Sequence, residues 1–169
     1  MAIPNPDHLL EQADRLAASG SPGQPRQVDL RRAISAAYYA VFHATLTAAA
    51  DRYVGANRRA AGQYFLAYRS VDHKELRDVC SRVSITNVSG RLSQYFPADS
   101  FDADIKAFAQ TLLELQAKRI DADYNPAIRE KKSDALLAIG TARDALRRLQ
   151  AASSSAREAF LGLLLFKVR

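Results

Sequence analysis

At 169 residues the chain is a single domain's worth, long enough to bury a core of its own. Seven glycines and six prolines are few, and alanine, leucine and arginine are plentiful, which favours helix over sheet. One cysteine excludes an internal disulfide and fits a reducing cytosol, while a formal charge of +6 with an isoelectric point near 9.7 suits an anionic partner without naming it.

Residues 1 to 7 lack the basic start and apolar centre of a signal peptide. Asn5 followed by Pro6 marks a helix start, and Leu9, Leu10, Ala13, Leu16 and Ala17 recur at helical spacing, so a first helix is expected over 6–18. A glycine- and proline-rich connector over 19–25 follows. A long second helix is predicted from Val28 to about Tyr53, in which Leu30, Ile34, Ala37, Val41, Ala44 and Ala48 stay within about 40° of one line. Its opposite side stacks Arg32, Ala36, Tyr39 and His43, with Tyr38 and Phe42 on the flanks. A helix apolar or aromatic nearly all round is the centre of a bundle.

Residues 58 to 69 interleave Arg58, Arg59 and Arg69 with Tyr64, Phe65 and Tyr68. That pattern suits a nucleic-acid patch, with arginines on phosphates and rings stacking on bases. It also suits an amphipathic helix with its rings in the core, and this second reading is preferred. Asp72 to Glu75 fits a capping box opening a helix over 73–83, in which Cys80 is a small buried hydrophobe among Leu76, Val79 and Val83. Residues 84 to 97 read as a loop.

Asp99 or Ser100 is expected to cap the next helix, which carries Phe101, Ile105, Phe108, Ala109, Leu112, Leu115 and Gln116 and runs to about Asp123. Asn125-Pro126 is expected to start another, with Ala135, Ile139, Ala142, Leu146 and Leu149 on one face. Ser153 to Ser155 breaks it, and Ser155 to Glu158 resembles a second capping box before an apolar tail helix that packs on the bundle or on a second subunit. The tail's apolar run, residues 159–166, is far short of the roughly 20 residues of a membrane span. The expectation is an all-α bundle of five or six helices in one domain over 1–169, with a core over 6–152, cytoplasmic and without a membrane partner.

The densest polar chemistry lies at one helix junction: Arg119, Asp121, Asp123 and Tyr124 directly before Asn125. Arg119 and Asp123 are spaced to pair on one face, a contact worth about 0.2–0.5 kcal/mol when exposed. The group either fixes the junction or lines an anion-binding cleft in which Arg119 holds phosphate, Asp123 orients it and Tyr124 stacks on a base. Arg32 shares the second-helix face of Tyr39 and His43, and a cation above Tyr39 or bonded to the junction region suits a structural role as well as a ligand-binding one. His43 fits a hydrogen-bonded bundle histidine better than a catalytic base. No metal-ligand set, phosphate-cradling loop or nucleophile-base pair accompanies these residues, so no metal or cofactor is expected.

The block Leu30-Arg-Arg-Ala-Ile-Ser-Ala-Ala-Tyr-Tyr-Ala-Val-Phe-His-Ala44 closely resembles the second-helix signature of bacterial HEPN-domain proteins, the higher eukaryotes and prokaryotes nucleotide-binding helical bundles. Arg119-x-x-Ala122-Asp123-Tyr124 resembles the family's second signature, and Tyr68 to His73 looks like a feature of its stand-alone members. The resemblance implies an antiparallel four-helix core, often a homodimer with the two sites facing a shared cleft, binding RNA or a nucleotide. Many such proteins are metal-independent, toxin-type RNases that use an Arg, four to six intervening residues and a His. This chain departs from that pattern: none of His8, His43 and His73 follows an arginine at that distance, and Tyr124 stands where the histidine would be. A phenol with a reference pKa near 10 does not readily take a 2′-hydroxyl proton near neutrality. The expectation is therefore an RNA- or nucleotide-binding variant or inactive relative of those enzymes. The alternative is a non-catalytic module that docks a partner protein, such as a nucleotidyltransferase antitoxin.

Overall fold

The computed structural model describes residues 3–18, 25–85 and 101–166. Among them the chain forms seven α-helices: α1 (Pro6–Ala18), α2 (Gln27–Ala50), α3 (Gly62–Arg69), α4 (His73–Val83), α5 (Ala103–Tyr124), α6 (Lys132–Ala151) and α7 (Ser154–Leu165). No strand occurs among the described residues. The fold is all-α, with two helices more than the lower expected count.

α2 packs against α1, α3, α5, α6 and α7. Its small residues allow this: Ala33, Ala37, Ala40, Ala49 and Ala50 are fully buried and let neighbouring backbones approach closely. Ile34, Tyr38 and Val41 fill the remaining space. Buried Asp29 at its first turn is met by Arg26 at 2.8 and 3.2 Å, an anion placed at the positive end of the helix dipole. With the turns that follow it, over Gln27–Arg58, α2 is long and apolar enough by length and composition to cross a membrane, against the expectation from the tail alone. Here 67% of its most apolar window is enclosed by the other helices, the burial of a core helix.

α2 does not simply stop. It loosens into a π-helical turn, Asp51–Gly55, and a 3-10 turn, Ala56–Arg58. Gly55 ends the first of these at φ +111°, a conformation that L side chains rarely adopt. Asp51 is tied down by Arg59 at 3.0 Å and by the Tyr64 hydroxyl at 2.7 Å.

α1 and α4 occupy the spans expected for them. In α4 the capping box is complete, with Glu75 N donating to Asp72 at 2.7 Å and Asp72 N donating to Glu75 at 3.2 Å. α3 settles the arginine-aromatic stretch as an amphipathic helix: Tyr64 and Tyr68 are buried, while Arg58 and Arg69 are exposed and Arg59 pairs with Asp51. The expected connector over 19–25 and loop over 84–97 fall almost wholly outside the described residues.

Three helix starts differ from the sequence reading. α5 is capped by Asp102, whose carboxylate accepts from Ile105 N and also from Ser153 N, both at 2.9 Å; Asp99 and Ser100 lie outside the described residues. α7 is capped by Ser153 rather than Ser155. Asn125-Pro126 starts no helix: Asn125 is the extended C-cap of α5, as a residue before proline must tend to be, and α6 begins only at Lys132. The intervening backbone is held from α2. Gln27 bonds both the carbonyl and the amide of Glu130, at 2.7 and 2.9 Å. Arg31 donates to the carbonyls of Ala122, Asn125 and Ile128. These contacts satisfy groups that a helix would otherwise need to pair itself.

The tail helix packs on its own bundle through Phe160, Leu161 and Leu164, with Phe160 edge-on to Phe108. Cys80 is fully buried, and burial pushes its thiol far above the ordinary value, so it is an inert core group.

Candidate functional site

One face of α2 carries Arg32, Ser35, Tyr39, Phe42 and His43, and three other helices converge on it. The last turns of α5 bring Arg119, Asp123 and Tyr124, the first residue of α4 brings His73, and the end of α3 brings Tyr68. The Leu30–Ala44 and Arg119–Tyr124 blocks therefore meet across α2 and α5. The Arg119 Nη2 donates to the Tyr39 hydroxyl at 2.6 Å.

Arg119 is enclosed. Its side chain is 14% exposed, and its guanidinium carbon lies 5.2, 5.9 and 5.5 Å from the ring centroids of Tyr39, Tyr38 and Tyr124. Its Nε is 2.7 Å from the Asp123 carboxylate. That contact is ionic rather than directional, because the N–H points off the line and finds no acceptor. Burial opposes its charge, but the Tyr39 bond and the attraction of Asp123 outweigh burial and raise its pKa. Asp123 in turn accepts from the Ser35 hydroxyl. The pair is thus a built-in, partly desolvated network and not the exposed helix-surface pair that spacing alone suggests.

Beside this network lies a groove of about 440 Å³ between α1, α2 and the end of α5, with Tyr39, Ser35 and Asp123 along one side and Gln12 and Leu16 along the other. Arg32 stands on its lip, exposed, with no hydrogen-bond or ion-pair partner among the described residues. Arg31, next to it, is spent on three carbonyls. Three larger clefts lie elsewhere: two of about 570 Å³, one between α4 and α7 and one beside Arg129 to Ser133, and one of about 470 Å³ along α3. The first carries Arg82, bonded to the Asp78 carbonyl, and Phe166, the second carries cations without a ring, and the third carries Phe65 and Arg69. Of these clefts the smaller groove is the one walled by Ser35, Tyr39 and Asp123 of the Arg119 network, which makes it the better chemical candidate despite its size.

Farther along the same face His43 and His73 sit on the same two rings. His43 is 5.9 Å from Tyr39 and 5.3 Å from Phe42; His73 is 5.7 and 4.1 Å from them. Each histidine engages a tyrosine hydroxyl through Nδ1, His43 with Tyr68 at 2.7 Å and His73 with Tyr38 at 2.8 Å. Burial lowers the pKa of both imidazoles, helped by His73 at His43 and by Arg119 at His73, where Asp72 opposes the effect. Both are therefore mostly neutral near pH 7. Burial raises the Tyr68 phenol to about 12 and Tyr38 further still, so both hydroxyls keep their protons.

Of the residues singled out from the sequence, Arg119, Asp123, Tyr39 and Tyr124 come together, with Tyr124 70% exposed. Arg32 and His43 flank them along α2. Sequence reasoning missed His73, Tyr38, Tyr68 and Ser35. The capping box had already placed His73 at the first position of its helix, but nothing local says which neighbour that helix start meets. No cluster of three or more His, Cys, Asp or Glu side chains capable of holding a metal is gathered among the described residues. No family model, curated protein or solved structure matches this chain.

Proposed function

We propose that the chain is an RNA- or nucleotide-binding protein whose ligand lies along the α2 groove, with Arg32 on a phosphate and Tyr124 offering a ring face to a base. The observation that carries this reading is Arg32, without a partner among the described residues, on the lip of a groove walled by Ser35, Tyr39 and Asp123 of the Arg119 network. A guanidinium without a carboxylate partner can form charge-assisted bonds to phosphate, whereas Arg119 is already committed and acts by holding Tyr39, Asp123 and Tyr124 in place. The basic residues Arg129, Lys131 and Lys132 around the neighbouring cleft are exposed and add attraction for a polyanion. A HEPN-like identity is part of the proposal. What supports it is the all-helical fold and the contact between the two blocks that carry the resemblance. With Tyr124 in place of a histidine the reading is of binding, not RNase chemistry.

Binding of a short single-stranded oligoribonucleotide tests it. Affinity should fall steeply with salt, because each neutralised phosphate releases counterions. Arg32→Ala should weaken binding about tenfold, the order of one lost charge-assisted contact, and leave thermal stability unchanged. Binding that is flat in salt and indifferent to Arg32→Ala would overturn the reading.

A second reading has its own observation. α5 and α6 leave Ile120, Tyr124, Leu136 and Leu137 between 42% and 70% exposed, apolar side chains suited to a second copy of the chain or to a partner such as a nucleotidyltransferase. Sedimentation showing a concentration-dependent dimer that Leu137→Glu abolishes would favour this reading; a monomer throughout would count against a homodimer.

A further inference from the structure

We infer that His43 and His73 form a second phosphate subsite on the α2 face beyond the groove, one that takes up protons as it fills, so that a chain of linked nucleotides binds more tightly as the medium acidifies. This rests on the groove being the ligand site.

The geometry has three parts. First, the two imidazoles share one seat, the rings of Tyr39 and Phe42, and lie on the same α2 face as Arg32. Arg32 and His43 are separated along the helix by about 16 Å at 1.5 Å per residue. No single phosphate spans that distance, which selects a chain of nucleotides over a mononucleotide, with Tyr39 between the two ends.

Second, both rings are anchored by the same nitrogen. Nδ1 of each meets a tyrosine hydroxyl, and Nε2 of neither has a hydrogen-bond partner among the described residues. With the phenol donating to Nδ1, the proton of the neutral ring resides on Nε2, where it can donate to a phosphate oxygen. A phenol both donates and accepts. When the imidazole gains a proton at Nδ1, the tyrosine oxygen accepts from it and the anchor persists. His73 is further fixed by the Asp72–Glu75 capping box and by Gln116, whose amide donates to the His73 carbonyl at 3.0 Å.

Third, the surrounding charges leave the pair as the variable element. The groups facing it are Tyr38 and Tyr39 from α2, Tyr68 from α3, Asp72 from α4, and Arg119 with its partner Asp123 from α5. Burial raises the Tyr38 and Tyr68 phenols, so these keep their protons, and the Arg119 guanidinium stays charged throughout. The charge that changes between about pH 5 and 8 is that of the histidines. Burial holds both neutral in the empty site, with His73 adding to it at His43 and Arg119 adding to it at His73, where Asp72 opposes. A phosphate against Nε2 favours the charged form, so binding and protonation assist one another reciprocally.

The test is calorimetric titration of the whole chain with an oligouridylate lacking terminal phosphates, so that the probe itself does not titrate. It is run near pH 6.5 in buffers of different ionisation enthalpy, and across about pH 5 to 8. Up to two protons should be taken up on binding, with affinity rising up to about tenfold per pH unit for each proton as the pH falls. His43→Gln and His73→Gln should each remove part of the uptake, whereas Arg32→Ala should lower affinity at every pH and leave the uptake unchanged. Binding that persists without proton uptake overturns the subsite and spares the groove; no binding by the wild-type chain at any pH overturns both. Should the glutamine variants fail to fold, ring-proton magnetic resonance of the wild-type histidines decides. Two titration midpoints should move upward when the oligouridylate is added, and unchanged midpoints overturn the subsite.

Discussion

Arg119 shows how burial changes the weight of a residue. As an exposed helix pair with Asp123 it would contribute a few tenths of a kcal/mol. With its side chain 14% exposed, bonded to Tyr39 and set against three rings, its removal leaves the Asp123 carboxylate with only Ser35. Arg119→Ala is expected to destabilise the chain by about 2 kcal/mol, the scale of a hydrogen bond to a charged group with some cation-π contact, read as a lower urea midpoint. Arg119→Lys should recover only part of it, since an ammonium lacks the planar fork that reaches a phenol and a carboxylate together. Tyr124 is the contrasting case. At 70% exposed, Tyr124→Ala should change stability by less than about 0.5 kcal/mol. If the ring stacks on a base, the same change should weaken oligoribonucleotide binding by about 1–3 kcal/mol, while Tyr124→Phe keeps it. Loss of affinity in Tyr124→Phe would assign the role to the hydroxyl instead.

Caps and glycines decide at the scale of elements. The Asp72–Glu75 box both starts α4 and fixes His73 beneath Phe42. Asp72→Ala should cost about 1 kcal/mol and should shift the His73 ring resonances, a readout that a remote loss of stability would not move. Gly55 and Gly140 should respond in opposite directions. A Cβ on Gly55 would lie 2.9 Å from the Asn57 side chain at φ +111°, so Gly55→Ala should cost about 1–3 kcal/mol. Gly140 sits inside α6 with open space at its Cβ position, and Gly140→Ala should stabilise by about 0.5–1 kcal/mol through the better helix former and the less flexible unfolded chain. Thermal unfolding of the two variants checks the pair.

For the whole molecule, acidity should act in two stages. His43 and His73 have folded-state pKa values below the ordinary 6.5, so the unfolded chain binds protons that the folded one refuses. Their contribution is complete above about pH 6.5 and declines as the pH falls through the folded values. Asp51 and Asp102 give a later stage. Burial alone would raise each carboxyl, but the Arg59 and Tyr64 bonds at Asp51 and the amides of Ile105 and Ser153 at Asp102 bring both below 3.8. Their stabilisation is present above about 3.8 and lost as the pH falls through the folded values. The melting temperature should therefore drop first just below pH 6.5 and again below about pH 4; His43→Gln combined with His73→Gln should flatten the first drop and leave the second.

What the sequence by itself determined is everything that rests on neighbours in the chain. The spans of α1 and α4, the capping box and the pairing of Arg119 with Asp123 all follow from caps and a period near 3.6, which act over one or two turns, and so does the core stripe of α2 from Leu30 to Val41, whose further members Ala44 and Ala48 are only half-buried. What only the tertiary structure decided is everything set by contacts distant in sequence. Asn125-Pro126 carries a sound local helix signal, yet Gln27 and Arg31 hold the backbone after it as a linker. Asp102 takes the cap of α5 while also meeting Ser153, far along the chain. The candidate site follows the same division. Most of its residues on α2 and α5 were legible because each set shares a helix face, whereas His73 and Tyr68 join it only because the start of α4 and the end of α3 come back against α2, where they meet Tyr38 and His43. Which arginine is free was equally beyond local reading: Arg31, Arg32 and Arg119 are the same side chain, and their partners across the fold leave only Arg32 of the three unpaired among the described residues.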